Sequence, residues 1–183
     1  MPRWLDQVHS PVIMNADYAD ESTSADGAWT STRGVVCAVL TADCLPVLFG
    51  DRQGRFVAAA HAGWRGMCSG VLDLTIQRFF EMDVAPQDIV AWLGPAIGAD
   101  SYEVDAAVRD VFLQRDPDCE GSFAVTREGH WQFDLYAAAR TILAAQGVMA
   151  VSGGGFCTYS DEQFDSYRRN PDCGRQATLI WLD

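Results

Sequence analysis

The segment CLPVLFGDRQGRFVAAAH, residues 44–61, decides the fold because it places two apolar runs on either side of a turn. Leu45–Phe49 and Phe56–Ala60 are short and apolar, as buried strands are, and the residues between them favour turns. The segment therefore predicts a β-hairpin.

The open end of this hairpin brings two metal-binding side chains together. If Asp51–Gly54 form the turn, Cys44 lies directly opposite His61. Opposed side chains have Cβ atoms about 4.5–5.5 Å apart, which suits zinc, with a thiolate near about 2.3 Å and an imidazole nitrogen near about 2.0–2.1 Å. Pro46 weakens the argument, because proline is tolerated in a sheet only at an edge or where no ladder hydrogen bond is needed.

The third ligand is not selected by the spacing. The other histidines are His9, after alternating apolar residues that suggest a strand end, and His130. A three-ligand site leaves a fourth position open to water or substrate, as in catalytic zinc sites. The same pair also suits a Cys44 nucleophile with His61 as its base and Asp43 nearby, or two ordinary buried side chains.

Two arginine-containing segments are candidates for anion binding. Arg65 follows His61 by four residues and precedes a predicted helix, where an arginine can grip a phosphate through two parallel hydrogen bonds. The alternative is that Arg65 lies on a solvated loop and binds no anion. The run Tyr167-Arg168-Arg169 is a second candidate contact, with a surface charge cluster as its alternative.

The rest of the chain mixes strands and helices without a strict β–α–β rhythm. The polar stretch Asn15–Gly27 is predicted to be a surface loop. Further strands are predicted at Val35–Leu40, Ile89–Leu93 and Ala177–Leu182, and helices are predicted to begin at the caps Ser69, Asp105 and Asp134. We predict a single domain of the α+β class.

Composition excludes several classes of protein. The net charge of −12 argues against nucleic acid and anionic membranes as partners, although an anionic small molecule needs only a local positive site. All thirteen basic residues are arginines, so Schiff-base lysine chemistry and the P-loop are excluded. No apolar run approaches a membrane span of about 20 residues. The start of the chain lacks the apolar core of a signal peptide, so we expect a cytoplasmic protein whose six cysteines stay reduced.

Several motifs along nearly the whole chain resemble the laccase-domain family, also called the multicopper polyphenol oxidoreductase family. They are QVH (7–9), TADCLPV (41–47), HAGWRG (61–66), LGPAIG (93–98), YEV (102–104), CT (157–158), SYRR (166–169) and GRQAT (174–178). Because they occur in the family's order, chance agreement is a poor explanation.

The resemblance implies a ligand set and a fold. The family's two histidine ligands and one cysteine ligand fall on His9, His61 and Cys44. Its fold is a mixed β-sheet core sandwiched by helices. Residues 1–183 would form one laccase-like domain, which lacks the N-terminal segment that family members carry ahead of the QVH motif.

The resemblance also implies an activity. Bacterial members are zinc-dependent purine nucleoside phosphorylases, active on adenosine, inosine, guanosine and methylthioadenosine, with adenosine deaminase activity; one branch is named peptidoglycan editing factor. The expected partners are a nucleoside and phosphate, and the chain is a possible homo-oligomer. Our candidate catalytic residues are Cys44, Asp43 and Arg65, and our candidate substrate-binding residues are Arg65, Glu103 and Arg168.

Three other functions compete with this one. A copper-dependent phenol oxidase would need several coppers to reduce oxygen by four electrons, and three histidines are too few for such a cluster. A thiol hydrolase acting on peptidoglycan precursors would use Cys44 as its nucleophile. A metal-stabilised binding module would need a closed site with a fourth ligand, and the sequence offers no convincing one.

Overall fold

The predicted hairpin forms the centre of a six-stranded mixed sheet. The computed structural model describes residues 2–183. Strands β5 (Leu45–Asp51) and β6 (Val57–Ala62) pair antiparallel at the middle of the sheet. Counted from one edge, the sheet consists of β11 (Ala150–Gly153), β7 (Ile89–Leu93), β5, β6, β3 (Gly27–Thr30) and β2 (Ile13–Asn15). Only the outer pairs β11–β7 and β2–β3 are parallel.

The predicted register of the hairpin is wrong by two residues. Leu45 faces Ala62, and the amide of Asp51 donates to the carbonyl of Phe56 at 3.0 Å, so the turn lies one residue later than expected. Cys44 is therefore not directly opposite His61. Because side chains alternate between faces with a period of two, a two-residue shift keeps a residue pair on one face. The two ligands remain diagonal neighbours.

Pro46 is accommodated at the centre of the sheet because another donor replaces its missing N–H. Its carbonyl accepts from the Gly94 amide at 2.9 Å, and the Gly94 carbonyl accepts from the hydroxyl of Tyr136 at 3.0 Å. On the other side it faces His61, whose amide donates to the carbonyl of Asp26 at 2.7 Å and needs no bond from Pro46. A proline is thus tolerated here without an unsatisfied neighbour.

Two three-stranded sheets complete the β-structure. The first consists of β1 (Pro2–Arg3), β4 (Val36–Thr41) and β12 (Gln176–Trp181); the second consists of β8 (Glu103–Asp105), β10 (His130–Phe133) and β9 (Phe123–Arg127). The predicted strands at Val35–Leu40, Ile89–Leu93 and Ala177–Leu182 are present within a residue of their expected bounds.

The helices are α1 (Trp64–Ser69), α2 (Val71–Glu81), α3 (Ala106–Arg115) and α4 (Leu135–Ala145). Asp105 and Asp134 cap α3 and α4 as predicted, each accepting a hydrogen bond from a first-turn amide. The predicted cap at Ser69 is wrong. Ser69 ends α1, and α2 starts from Gly70, which has a left-handed φ of 94°. Among residues 2–183, every helix is too short or too polar to traverse a lipid bilayer.

The two faces of the six-stranded sheet bury different cores. Val47 and Phe49 of β5 point towards the helices and pack in one cluster with Ile76 of α2. Leu48 points to the other face, towards Val39 of β4. The α+β class, the mixed β core and the single domain are therefore confirmed, with helices on one face and strand β4 on the other.

Candidate metal centre and cavity

Three side chains from separate segments meet at one end of the hairpin. Cys44 immediately precedes β5, His61 lies in β6, and His9 comes from the N-terminal loop. Their ligand atoms all lie within 4.8 Å of one another, and Cys44 Sγ is 3.8 Å from His9 Nε2. Gly63 completes this packing, because a Cβ at this position would lie 2.7 Å from the Cys44 sulfur.

Asp26 organises this group, and the sequence analysis missed it. Its carboxylate is fully buried and lies 2.8 Å from His61 Nδ1. The hydrogen bond orients the imidazole and leaves Nε2 as the nitrogen available to a metal, as carboxylates commonly do for histidine ligands. Asp26 belongs to the Asn15–Gly27 stretch that we predicted to be a surface loop, and its hydrophilic neighbours gave no signal of burial.

The same carboxylate holds the loop that carries His9. It accepts hydrogen bonds from the amides of Val8 at 3.2 Å and His9 at 2.9 Å, and from the Ser10 hydroxyl at 2.8 Å. His9 has a left-handed φ of 60° and is not the strand end that we expected. A non-glycine residue in this conformation is uncommon. Asp26 therefore fixes both histidines of the group.

The electrostatics of the group favour a thiolate beside an imidazolium. Burial disfavours a charge on either side chain, so it raises the pKa of Cys44 and lowers that of His61. The hydrogen bonds of Cys44 with His61 and His9 outweigh burial and lower the pKa of the thiol to about 6. The pKa of His61 is raised to about 9, because its hydrogen bonds with Asp26 and Cys44 outweigh burial. A deprotonated thiol at neutral pH is the form that binds a metal ion.

Asp43 ties the cysteine segment to the C-terminal loops. Its φ is 84°, and its carboxylate accepts hydrogen bonds from the Thr158 hydroxyl and from the Arg168 amide, both at 2.7 Å. Its carbonyl accepts from the Ile97 amide at 2.9 Å. These bonds support a positioning role, and the catalytic role that we predicted for Asp43 stays a prediction.

A cavity of about 570 Å³ opens beside the candidate metal ligands. His9 and His61 form part of its wall, and Trp64, Tyr102 and Tyr167 supply aromatic surfaces. Within the described part of the chain, no aspartate or glutamate lines it. The volume is that of a small-molecule site.

Two arginines give this cavity a positive character within an acidic protein. Arg65 and Arg175 both line it. Arg65 lies in the first turn of α1 and not before a helix as we predicted, and its guanidinium lies 4.5 Å from the ring centroid of Trp64. It makes no ion pair within residues 2–183. An unpaired guanidinium over an aromatic ring is suited to receive an anion.

The remaining candidate residues lie outside the cavity wall. The Glu103 carboxylate pairs with Arg127 at 2.8 Å. The Arg168 guanidinium lies 5.3 Å from the ring centroid of Tyr102 and, with Glu103, lines a neighbouring depression of about 380 Å³. His130 lies in β10, with Nδ1 3.1 Å from the Glu128 carbonyl, and is not part of the ligand group.

The donor set fits a transition metal ion. Two imidazoles and a thiolate are typical ligands of zinc and copper, and three protein ligands beside an open cavity are the pattern of a catalytic site. Within residues 2–183, His9, Cys44 and His61 are the one group of at least three such side chains close enough to share an ion.

The fold and this site define a class of α+β enzymes built around a histidine–cysteine–histidine group. The chain belongs to the multi-copper polyphenol oxidoreductase laccase family, whose model matches residues 2–183.

Curated relatives carry a more specific name. The chain is 46% identical over 185 residues to the purine nucleoside phosphorylase YfiH of Escherichia coli, and 46% identical over 183 residues to a purine nucleoside phosphorylase of Pseudomonas aeruginosa. In both comparisons 99% of this chain is aligned with 74% of the relative.

Solved structures share the fold. A Neisseria meningitidis protein superimposes with a TM-score of 0.95 at 49% identity, covering 100% of this chain and 76% of that one. YlmD from Geobacillus stearothermophilus superimposes with a TM-score of 0.91 at 31% identity, covering 98% of this chain and 73% of that one.

Proposed function

We propose that the chain is a zinc-dependent purine nucleoside phosphorylase, acting on adenosine, inosine, guanosine and methylthioadenosine, with adenosine deaminase activity. The observation that carries the proposal is one cavity that joins the ligand group of His9, Cys44 and His61 to two arginines and three aromatic side chains. The name of relatives that are 46% identical supports the same activity.

Zinc is the metal that we propose for the ligand group. Two imidazole nitrogens, one thiolate and an open side are typical of catalytic zinc. Zinc bound there would supply a Lewis acid that polarises an oxygen atom of water or substrate. Copper is the alternative metal, since it binds such ligands more tightly. Four-electron reduction of oxygen needs several coppers, and the described residues form a single ligand group.

The cavity walls suit the two substrates. The purine base would stack on an aromatic side chain, either Trp64 or Tyr167, because every base presents a π-face. Phosphate would be held by Arg65, whose guanidinium matches two phosphate oxygens. Arg175 supplies a second positive charge on the same wall.

Phosphorolysis in this cavity requires positioning and charge stabilisation. An oxygen of phosphate attacks C1′ of the ribose, the C1′–N9 bond breaks, and its electron pair leaves with the purine, which takes up a proton. The products are ribose 1-phosphate and the free base. Asp43 would keep the Cys44 segment in place. Substrate contacts by Glu103 and Arg168 stay predictions, and both residues line the neighbouring depression.

A cysteine-dependent hydrolase is the second candidate function. It is favoured by one observation, the lowered pKa of Cys44 beside His61, since a thiolate paired with an imidazole is the form of a cysteine nucleophile. In that case Cys44 would attack the carbonyl carbon of an amide, and the amine would leave with a proton from His61. Water would then hydrolyse the thioester to release the acid and the thiol, and a chelator would leave this hydrolysis unchanged.

The test is release of adenine from adenosine, measured with and without phosphate. We expect adenine and ribose 1-phosphate only when phosphate is present, and inosine from deamination with or without phosphate. Chelation should abolish both activities, and added zinc should restore them. Zinc-loaded protein that releases no base from any of the four nucleosides would refute the proposal. Base release that survives chelation would refute the role of zinc, whereas hydrolysis of an amide bond that survives chelation would favour the cysteine hydrolase.

A further inference from the structure

Tyr102 presents a rigid phenol to the cavity. Its ring stacks with Phe133, with centroids 5.9 Å apart and planes inclined by 24°, and the Arg168 guanidinium lies 5.3 Å from its centroid. Its amide donates to the Ala99 carbonyl at 3.0 Å, and its carbonyl accepts from the Phe133 amide at 2.9 Å. Ring and backbone are therefore both fixed, which is the preorganisation that a functional group needs.

The hydroxyl of Tyr102 is the unused part of this side chain. Within residues 2–183 it makes no hydrogen bond with a protein group. Tyr136 provides the contrast, because its hydroxyl donates to the Gly94 carbonyl and accepts from the Ala96 amide at 2.8 Å. The hydroxyl of Tyr136 already makes hydrogen bonds within the protein, whereas that of Tyr102 is available to bind a ligand in the cavity.

The surroundings keep this hydroxyl protonated. Burial raises the pKa of the Tyr102 phenol above its usual range, against smaller opposing contributions from Arg168 and Arg65. A phenol that stays neutral donates a hydrogen bond at every physiological pH. With no carboxylate among the described residues of the cavity wall, the natural acceptor for this donor is a ligand atom.

We propose that Tyr102 donates a hydrogen bond to a ring nitrogen of the departing purine, an inference that rests on the proposed phosphorolysis. As the C1′–N9 bond breaks, its electron pair moves onto the base, and negative charge spreads to the ring nitrogens. The arginines of the cavity match phosphate in charge and shape, whereas a neutral donor matches a nitrogen acceptor. A donor aimed where charge develops stabilises the transition state more than the bound nucleoside.

The test compares Tyr102→Phe with the parent enzyme on two nucleosides. The variant keeps the ring and its contacts with Phe133 and Arg168, so it should fold. With inosine, kcat should fall about 10- to 100-fold, the effect of one hydrogen bond to a charged acceptor, while KM changes little. With 7-methylguanosine the base leaves as a neutral molecule, so the same variant should match the parent.

Control measurements separate this role from a structural one. Zinc content and melting temperature should be the same in Tyr102→Phe and the parent. Tyr18→Phe removes a hydroxyl from a tyrosine that is 83% exposed and lies outside the wall of the 570 Å³ cavity, so it should retain full activity on both nucleosides.

Three outcomes would overturn the inference. They are an unchanged kcat on inosine, an equal loss on inosine and 7-methylguanosine, and a loss of zinc from the variant. A zinc-loaded parent enzyme that cleaves neither nucleoside would refute the proposed function itself, and the inference would fall with it.

Discussion

Asp26 is the residue on which the geometry of the site depends most. It contacts the ring of His61 and the backbone on both sides of His9, so one carboxylate orients two candidate ligands from segments that are far apart in the sequence. Its pKa is lowered to about 2, because hydrogen bonds from His61 and Ser10 outweigh the effect of burial. It is therefore ionised whenever the site can hold a metal.

Replacing this carboxylate by an amide should weaken metal binding. Asp26→Asn removes the charge that supports His61 and replaces an acceptor of the His9 loop with a donor. We expect zinc affinity to fall about 10- to 100-fold, the usual effect of losing a carboxylate behind a histidine ligand. Competition with a chromogenic chelator would measure it. Asp83→Asn, at an exposed position that also has a positive φ, should bind zinc as the parent does, and equal affinity in both variants would argue against this role of Asp26.

Arg65 offers a second prediction at the scale of one residue. If it holds the attacking phosphate, Arg65→Lys keeps the charge but loses the bidentate fork. Phosphorolysis of adenosine should fall about 10- to 100-fold, the effect of one charge-assisted contact. Deamination uses water, so it should fall less.

Both activities should be measured in the same variant across a phosphate titration. Arg52→Lys, at an exposed arginine of the hairpin turn, is the matched control and should leave both unchanged. An equal fall in the two activities of Arg65→Lys would instead place Arg65 against the nucleoside or the fold.

At this scale the sequence identified the candidate ligands better than their surroundings. The resemblance to the family placed His9, Cys44 and His61 in one group. The hairpin pattern put Cys44 and His61 on the same face of the sheet, although the predicted register was wrong by two residues. Asp26 could not be predicted, because its burial results from tertiary packing. A single aspartate in a polar stretch carries no periodic signal.

Among the elements, the helix that follows the HAGWRG motif was predicted with the wrong beginning. The helix predicted from the cap Ser69 is present as α2, but α1 was not predicted, and Gly70 joins the two helices. Ser69 uses its hydroxyl to bond back to the Arg65 carbonyl at 2.8 Å. A serine hydroxyl can cap the start of a helix or bond back to a carbonyl at its end, so Ser69 alone does not show which it does. The left-handed conformation of Gly70 is what separates α1 from α2.

This joint gives a prediction at the scale of the element. A Cβ at Gly70 would make only ordinary contacts, the nearest being Asp73 at 3.7 Å, so the cost of Gly70→Ala comes from its φ of 94°. We expect the free energy of unfolding to fall by about 1–2 kcal/mol, measured by denaturant titration. Gly121→Ala, where a Cβ meets nothing within 4 Å, is the control. Equal stability of the two variants would mean that the joint relaxes without strain.

At the scale of the whole molecule, the sheet order explains why the site could not be assembled from local patterns. β5 lies between β7 and β6, and β6 lies beside β3, so strands that are distant in the chain become neighbours. Local periodicity and caps gave the positions of five strands and of the helices capped by Asp105 and Asp134. The strands are β4, β5, β6, β7 and β12. The order of the strands, and with it the approach of the His9 loop to the hairpin, depends on packing that no local pattern encodes.

The charge distribution of the whole molecule is consistent with a small anionic substrate. The chain carries a net charge of −12, while Arg65 and Arg175 line a cavity that holds no described carboxylate in its wall. A local positive site in an acidic protein attracts phosphate yet repels nucleic acid.

The central claim is that a metal ion is held by His9, Cys44 and His61, and zinc content measures it most directly. Elemental analysis of protein purified without added metal should give about one zinc per chain. His130→Ala should retain it, whereas Cys44→Ser and His9→Ala should lose it. Zinc that remains unchanged in Cys44→Ser, or that is lost from His130→Ala but kept in His9→Ala, would contradict the account.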